Sequence, residues 1–214
     1  MRSLSRMNRI RRGLSAAMIV FPALACGSQR DATPGTDTTR PAMDSAPPVA
    51  AVDTAASSLR IEVDLAARQL HVIEQGSQIA SHPVAVGSER WPTQTGQWTI
   101  TQVVFNPEWI PPDETWAEER EPRKPGDPRN PLGRIQLVYD PPRSIHGTNQ
   151  PESIGKAVSH GSIRVTNQVG EQLARQIMEA GGAQKDDAWI DRAKATRSEK
   201  QVVDLPRPVP IRVF

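Results

Sequence analysis

The chain has 214 residues, with 26 Lys+Arg against 24 Asp+Glu, a formal charge of +2 and a sequence pI near 9.0. A mean hydropathy of −0.50 with 37% hydrophobic residues excludes a polytopic membrane protein, and a single cysteine excludes a disulfide framework or a four-cysteine zinc site. Twenty prolines and 4% aromatic residues fit neither a coiled coil nor a helical bundle, and a charge of +2 is too small to indicate a nucleic-acid partner.

The charge is unevenly placed. Arg2, Arg6, Arg9, Arg11 and Arg12 form a cationic stretch without acidic residues, followed by an apolar run from Leu14 to Ala25. That run is shorter than the roughly 20 residues a spanning helix needs. A basic segment, a short apolar segment and small residues before a break describe an export signal over residues 1–26. The break, Ala23-Leu24-Ala25-Cys26-Gly27, resembles a bacterial lipoprotein lipobox, with Ala23 where Leu is usual. The resemblance implies a lipid on Cys26, hence an exported protein of the cell envelope or periplasm held to a membrane by that anchor. Gly27 after the cysteine implies the outer membrane in a Gram-negative cell. Removing the five arginines leaves 21 basic against 24 acidic residues, a net charge of −3.

Residues 27–58 are rich in Ala, Thr, Ser, Pro and Asp and nearly free of large apolar groups. Such a segment buries too little surface to offset its ordering entropy and reads as a disordered tether. Its coil dimension is on the order of 30 Å.

One domain is expected over 59–214, a length that suits a single core. Leu59, Ile61, Val63 and Leu65 alternate with Arg60, Glu62 and Asp64, a strand signal. Leu70–Glu74 reads as a second strand, closed by Gln75-Gly76-Ser77, and Ile79–Val86 as a third, confined to an edge or bulge by Pro83. Trp98–Val104 and Arg134–Tyr139 supply a fourth and a fifth. Between them runs a Pro-rich stretch, Asn106–Gly133, carrying Trp109 and Trp116. A loop of that length is a lid over a cleft or a packed cover for a sheet. A helix is predicted from Asn167 as N-cap, with Val169, Leu173, Ile177 and Ala180 on one face and Gly181-Gly182 as its stop. Val202, Val203 and Leu205, then Ile211 and Val213, read as closing strands around Pro206, Pro208 and Pro210. The fold class is mainly β (α+β), a β-sandwich with one long Pro/Trp-rich loop and one principal helix.

The chemistry-bearing residues crowd between His146 and Asn167. His146, Ser153, Ser159, His160 and Ser162 are interleaved with Gly147, Gly155 and Gly161. Glycine lets backbone approach a ligand, a hydroxyl residue after it sits beside backbone N–H groups, and histidine is a general base near neutral pH. Arg164 can hold a carboxylate in a bidentate pair or serve as a structural ion-pair partner. On residue types alone this pattern admits Ser/His acyl transfer and equally an ordinary turn serine. His71 and His82 fall in strand-like segments and read as incidental. No metal or cofactor is expected, since the spacing of His146 and His160 matches no helix-borne zinc motif.

The run His146-Gly147-Thr148-Asn149-Gln150-Pro151-Glu152-Ser153-Ile154-Gly155, followed by Ser159-His160-Gly161-Ser162-Ile163-Arg164-Val165-Thr166-Asn167, resembles the L,D-transpeptidase catalytic domain. Pro92-Thr93-Gln94-Thr95-Gly96, Asn106-Pro107-Glu108-Trp109 and Asn130-Pro131-Leu132-Gly133 also match that family's motifs, so the resemblance covers about Leu59–Ala180. It implies His146 as catalytic histidine, Gly161 and Ser162 as oxyanion-hole amides, and Arg164, Asn167, His160, Thr148 and Ser159 as substrate-binding residues. It implies peptidoglycan stem peptides as substrates: a nucleophile attacks the amide after diaminopimelate, releases D-alanine, and a second stem's amine resolves the acyl-enzyme. The sequence departs at the nucleophile, where the family's cysteine is Ser162. A thiol is readily held as a thiolate, whereas a hydroxyl needs its proton removed as it attacks. Three functions follow: acyl transfer through Ser162 and His146, a stem-peptide hydrolase, and a catalytically inactive peptidoglycan-binding lipoprotein.

Overall fold

A computed structural model describes residues 58–214. The export signal, Cys26 and the tether read from the sequence lie outside the described residues. The first strand, β1 (Leu59–Asp64), buries Leu59, Ile61 and Val63 in the alternation the sequence predicts. It ends one residue before Leu65, because the Asp64 carboxylate accepts the Ala67 N–H and starts the turn into β2 (Gln69–Glu74). The third predicted strand divides in two. β3 runs Ser77–Pro83 and stops at its proline, and the chain resumes as the short β4 (Val86–Gly87) in another sheet.

β5 (Gly96–Phe105), β6 (Ile135–Asp140) and β7 (Arg143–His146) continue antiparallel, while β8 (Ala157–Ser159) pairs with β4 and β9 (Ile163–Arg164) pairs parallel to β7. The C-terminal segment is not two strands around a proline break. It is one strand, β10 (Gln201–Val213), lying between β1 and β5 in an eight-stranded sheet ordered β3-β2-β1-β10-β5-β6-β7-β9. Proline donates nothing to a ladder, so a central strand tolerates it only where pairing lapses. The register against β5 shifts between Asp204 and Val209, which takes Pro206 and Pro208 out of the ladder.

The mainly β class holds, as a curled eight-stranded sheet with a separate two-stranded one, and the apolar core draws on both the sheet and the helices. The predicted helix is α1 (Asn167–Ala180), but its N-cap is Thr166, whose Oγ1 accepts the Val169 N–H at 3.2 Å. Asn167 is unavailable for capping because its side chain is engaged elsewhere. Leu173, Ala174, Ile177 and Met178 bury one stripe of α1 against the sheet. Truncating Leu173 or Ile177 to Ala would cost about 2–5 kcal/mol. A second helix, α2 (Asp187–Ala195), was not predicted. Its signal was present in the Asp186 cap, which accepts the Trp189 N–H at 2.7 Å, and in Ile190 and Ala193 at helical spacing.

Asn106–Gly133 contains no helix or regular strand, only an isolated bridge between Trp109 and Arg123. Buried Asn130 ties it together, donating to the Pro107 carbonyl at 2.8 Å and accepting the Leu132 N–H at 2.9 Å. The strand pair β7–β9 and the turn before β9 carry the polar residues that this loop faces.

Candidate functional site

A cavity of about 840 Å³ opens beside β7 and β9. His146, Ser159, His160, Ser162 and Arg164 line it on one side, and the Asn106–Gly133 loop supplies the other wall through Trp109, Ile110, Glu114, Trp116 and Arg123. The loop is thus both of the things the sequence allowed: its bridge and Asn130 pack it in place, and it bounds a cleft.

Two of the lining residues come from paired strand ends. His146 closes β7 and sits opposite Arg164 in the parallel register, so their side chains share a face. The His146 ring is 5% exposed. Its Nδ1 lies 2.5 Å from the Gly147 carbonyl oxygen. A carbonyl only accepts, so Nδ1 carries the proton and Nε2 keeps its lone pair. The group that orients the ring is therefore the backbone carbonyl of the next residue. Burial lowers the His146 pKa from 6.5 to about 4; the Gly147 hydrogen bond opposes the shift and the Arg164 charge adds to it. The ring is neutral at physiological pH.

Ser162 follows Gly161, whose φ of +101° is a conformation that L side chains rarely adopt. The half-buried Ser162 Oγ accepts the Ser144 N–H at 3.2 Å. Among the described residues no hydrogen bond joins His146 to Ser162, and the hydroxyl proton is uncommitted. Ser159 fixes the turn: its Oγ donates to the Ser162 carbonyl at 2.5 Å and accepts the Gly161 N–H at 3.2 Å. The Gly161 amide is therefore already engaged by a hydroxyl and reaches a substrate oxygen only by leaving it.

Arg164 reaches into the cavity. Its Nη1 donates to Gln150 Oε1 at 3.0 Å, while its buried Nε has no partner among the described residues. Burial lowers its pKa, with Glu152 opposing. A guanidinium lining a cleft suits an anionic ligand group.

Two residues named from the sequence as substrate-binding do not line the cavity. Asn167 Oδ1 accepts the Arg134 N–H at 2.9 Å and its Nδ2 donates to the Thr148 carbonyl at 3.0 Å. A methyl at Gly133 or Gly147 would lie 2.2 Å from that Oδ1, so both glycines make room for it. Thr148 is buried, and its Oγ1 accepts the Gln150 N–H at 3.0 Å. Both residues hold the His146-Gly147-Thr148 turn from behind. His160 lines the cavity and is sandwiched between indoles, its ring centroid 4.0 Å from that of Trp116 and 4.5 Å from that of Trp91.

The sequence reading missed the Ser144 amide, Gln150, Trp91 and the role of Trp116. A backbone amide has no sequence signature, since any residue but proline supplies it. Gln150 lay within the matched run but without an assigned partner.

The model of the L,D-transpeptidase catalytic domain family, YkuD, matches residues 58–203. The chain belongs to this family. YkuD of Bacillus licheniformis is 34% identical over 116 residues, covering 54% of this chain and 58% of that protein. YqjB of Bacillus subtilis is 31% identical over 105 residues, covering 46% and 54%. The chain thus spans little more than half the length of these curated relatives. An L,D-transpeptidase from Mycobacterium smegmatis superposes with a TM-score of 0.45 at 16% identity, covering 73% of this chain and 58% of that one.

Proposed function

We propose that the domain modifies peptidoglycan by acyl transfer on stem peptides, with Ser162 as nucleophile and His146 as base. The observation that carries this reading is the His146 Nδ1–H to Gly147 carbonyl bond. It leaves a neutral Nε2 in the same cavity as a half-buried serine hydroxyl whose proton is free. A thiolate–imidazolium pair needs a charged histidine, which burial and Arg164 oppose here. A neutral Ser–His couple does not.

In the proposed reaction His146 Nε2 takes the Ser162 proton as Oγ attacks the carbonyl carbon of the amide after diaminopimelate. The tetrahedral oxyanion accepts from the Ser162 amide, and from the Gly161 amide once it turns from Ser159. The imidazolium then protonates the departing amine, D-alanine leaves, and an ester remains on Ser162. The amine of a second stem attacks that ester and restores Ser162 and His146. Arg164 binds a carboxylate of the stem through its guanidinium, which lines the cavity. The proposed location is the cell envelope, with a lipid on Cys26 as anchor; both rest on the N-terminal sequence alone.

The test is intact-mass analysis after incubation with a tetrapeptide stem or a carbapenem. The expected result is an adduct mapped to Ser162, absent in Ser162→Ala. Cross-linked dimers among the products mean transfer, and free tripeptide means hydrolysis. If the parent binds stem peptide without forming an adduct while Ser162→Cys cross-links, the domain is a binding module that has lost its nucleophile, and the Ser162 mechanism is refuted.

A further inference from the structure

The His160 side chain has no hydrogen-bond partner among the described residues, yet it occupies the middle of a stack built from three distant chain segments. The loop between β4 and β5 supplies Arg90 and Trp91, with the Arg90 guanidinium carbon 4.6 Å from the Trp91 ring centroid. The turn before Ser162 supplies His160, 4.5 Å from Trp91 and 4.0 Å from Trp116. The Asn106–Gly133 loop supplies Trp116 and, behind it, Trp109 at 6.5 Å with an interplanar angle of 27°. The 19° angle between His160 and Trp116 is a stacked, face-to-face contact. Trp116 is further fixed by its Nε1–H, which donates to Glu114 Oε2 at 2.7 Å.

We infer that His160 is a positioning residue: its ring clasps the Trp116 wall and the Trp91 loop to the Gly161–Ser162 turn, and so sets the width of the cleft at the nucleophile. The wall's other anchors tie it to itself through Asn130 and the Trp109–Arg123 bridge, or to the α2 end through Asn106 Nδ2, which donates to the Ala193 carbonyl at 2.6 Å; none of these reaches the Gly161–Ser162 turn. Trp116 is the ring that reaches across to the turn carrying Ser162. Aromatic contacts of this kind are directional, holding the angle of one wall to the other as well as their separation. The groups facing the His160 ring are Glu114, Arg120 and Arg164, and burial with the two arginines keeps its pKa below the ordinary value. A neutral ring stacks on the flanking indoles without having to hold a charge between two cations. A flat ring suffices for this clasp, and no proton need move.

The test compares His160→Ala, His160→Phe and Trp116→Ala in the full chain by amide hydrogen exchange. In His160→Ala and Trp116→Ala the amides of Ala117 and Arg120 are expected to exchange about tenfold faster, with β5 and β6 unchanged. His160→Phe is expected to restore protection, since it keeps the ring and removes both nitrogens. Unchanged exchange at Ala117 and Arg120 in His160→Ala overturns the inference, as does a His160→Phe variant that behaves like His160→Ala. A kinetic arm rests on the acyl-transfer reading. There His160→Ala raises KM for the stem peptide about tenfold with kcat within about twofold, and His160→Phe reverses it. A loss confined to kcat would overturn the positioning role. Should the domain prove inactive, the exchange comparison still decides, because it needs no turnover.

Discussion

His146 should make the stability of this domain depend on pH in a measurable way. Its folded pKa is about 4, because burial outweighs the bond to Gly147, against 6.5 in the unfolded chain. Between those values the unfolded chain binds a proton that the folded domain refuses, so stability falls as pH falls from about 6.5 to about 4. Integrating a shift from 6.5 to about 4, the loss between pH 7.5 and 4.5 is about 2.5 kcal/mol from this one ring. The comparison is urea unfolding of the parent and His146→Asn at both pH values. Every other ionisable group is common to both proteins and cancels in the difference. The parent should lose about 2.5 kcal/mol more than the variant, a midpoint difference of roughly 1 M urea. The same shift predicts that the acid limb of kcat/KM falls near pH 4 rather than 6.5. Equal losses in the two proteins would refute a His146 held neutral by the fold, and with it the poised base.

Two further outcomes follow from the packing behind the site. Gly147→Ala puts a methyl 2.2 Å from Asn167 Oδ1, so it should cost about 3 kcal/mol and lower Tm by roughly 10 °C. Gly155→Ala, with open space around its Cβ, should cost about 1 kcal/mol despite a φ of +83°, and calorimetry showing the two equal would contradict the clamp. Ser159→Ala removes the donor to the Ser162 carbonyl and the acceptor for the Gly161 amide. Acylation of Ser162 should slow about tenfold, with recovery in Ser159→Thr, and an unchanged single-turnover rate would show that the turn holds without it.

Much of the sheet was legible because half-buried strands write their burial as period two, as in Leu59, Ile61 and Val63. The continuity of β10 was not legible. Pro206, Pro208 and Pro210 look like a break in any local reading, and only the register shift opposite β5, which removes Pro206 and Pro208 from the ladder, keeps the strand continuous there. α2 escapes a periodicity reading because its buried apolar residues are few, Ile190 and Ala193. Within the site, His146, Ser159, His160, Ser162 and Arg164 were legible, and the structure brings all five to one cavity. Asn167 and Thr148 were legible as members of the motif, but their job was not: a short polar side chain binds a ligand or braces a turn with the same atoms.

By itself the sequence determined the family motif and the alternating strands of the sheet, since covalent identity and local periodicity are properties of the chain. Tertiary structure decided what those residues do. It set the protonated nitrogen of His146 by placing the Gly147 carbonyl against Nδ1. It also turned Asn167 inward between two glycines and put His160 between Trp91 and Trp116. Each of these depends on backbone groups or rings from segments far apart in the chain, whose approach is fixed only when the sheet, the loop and α1 have packed together.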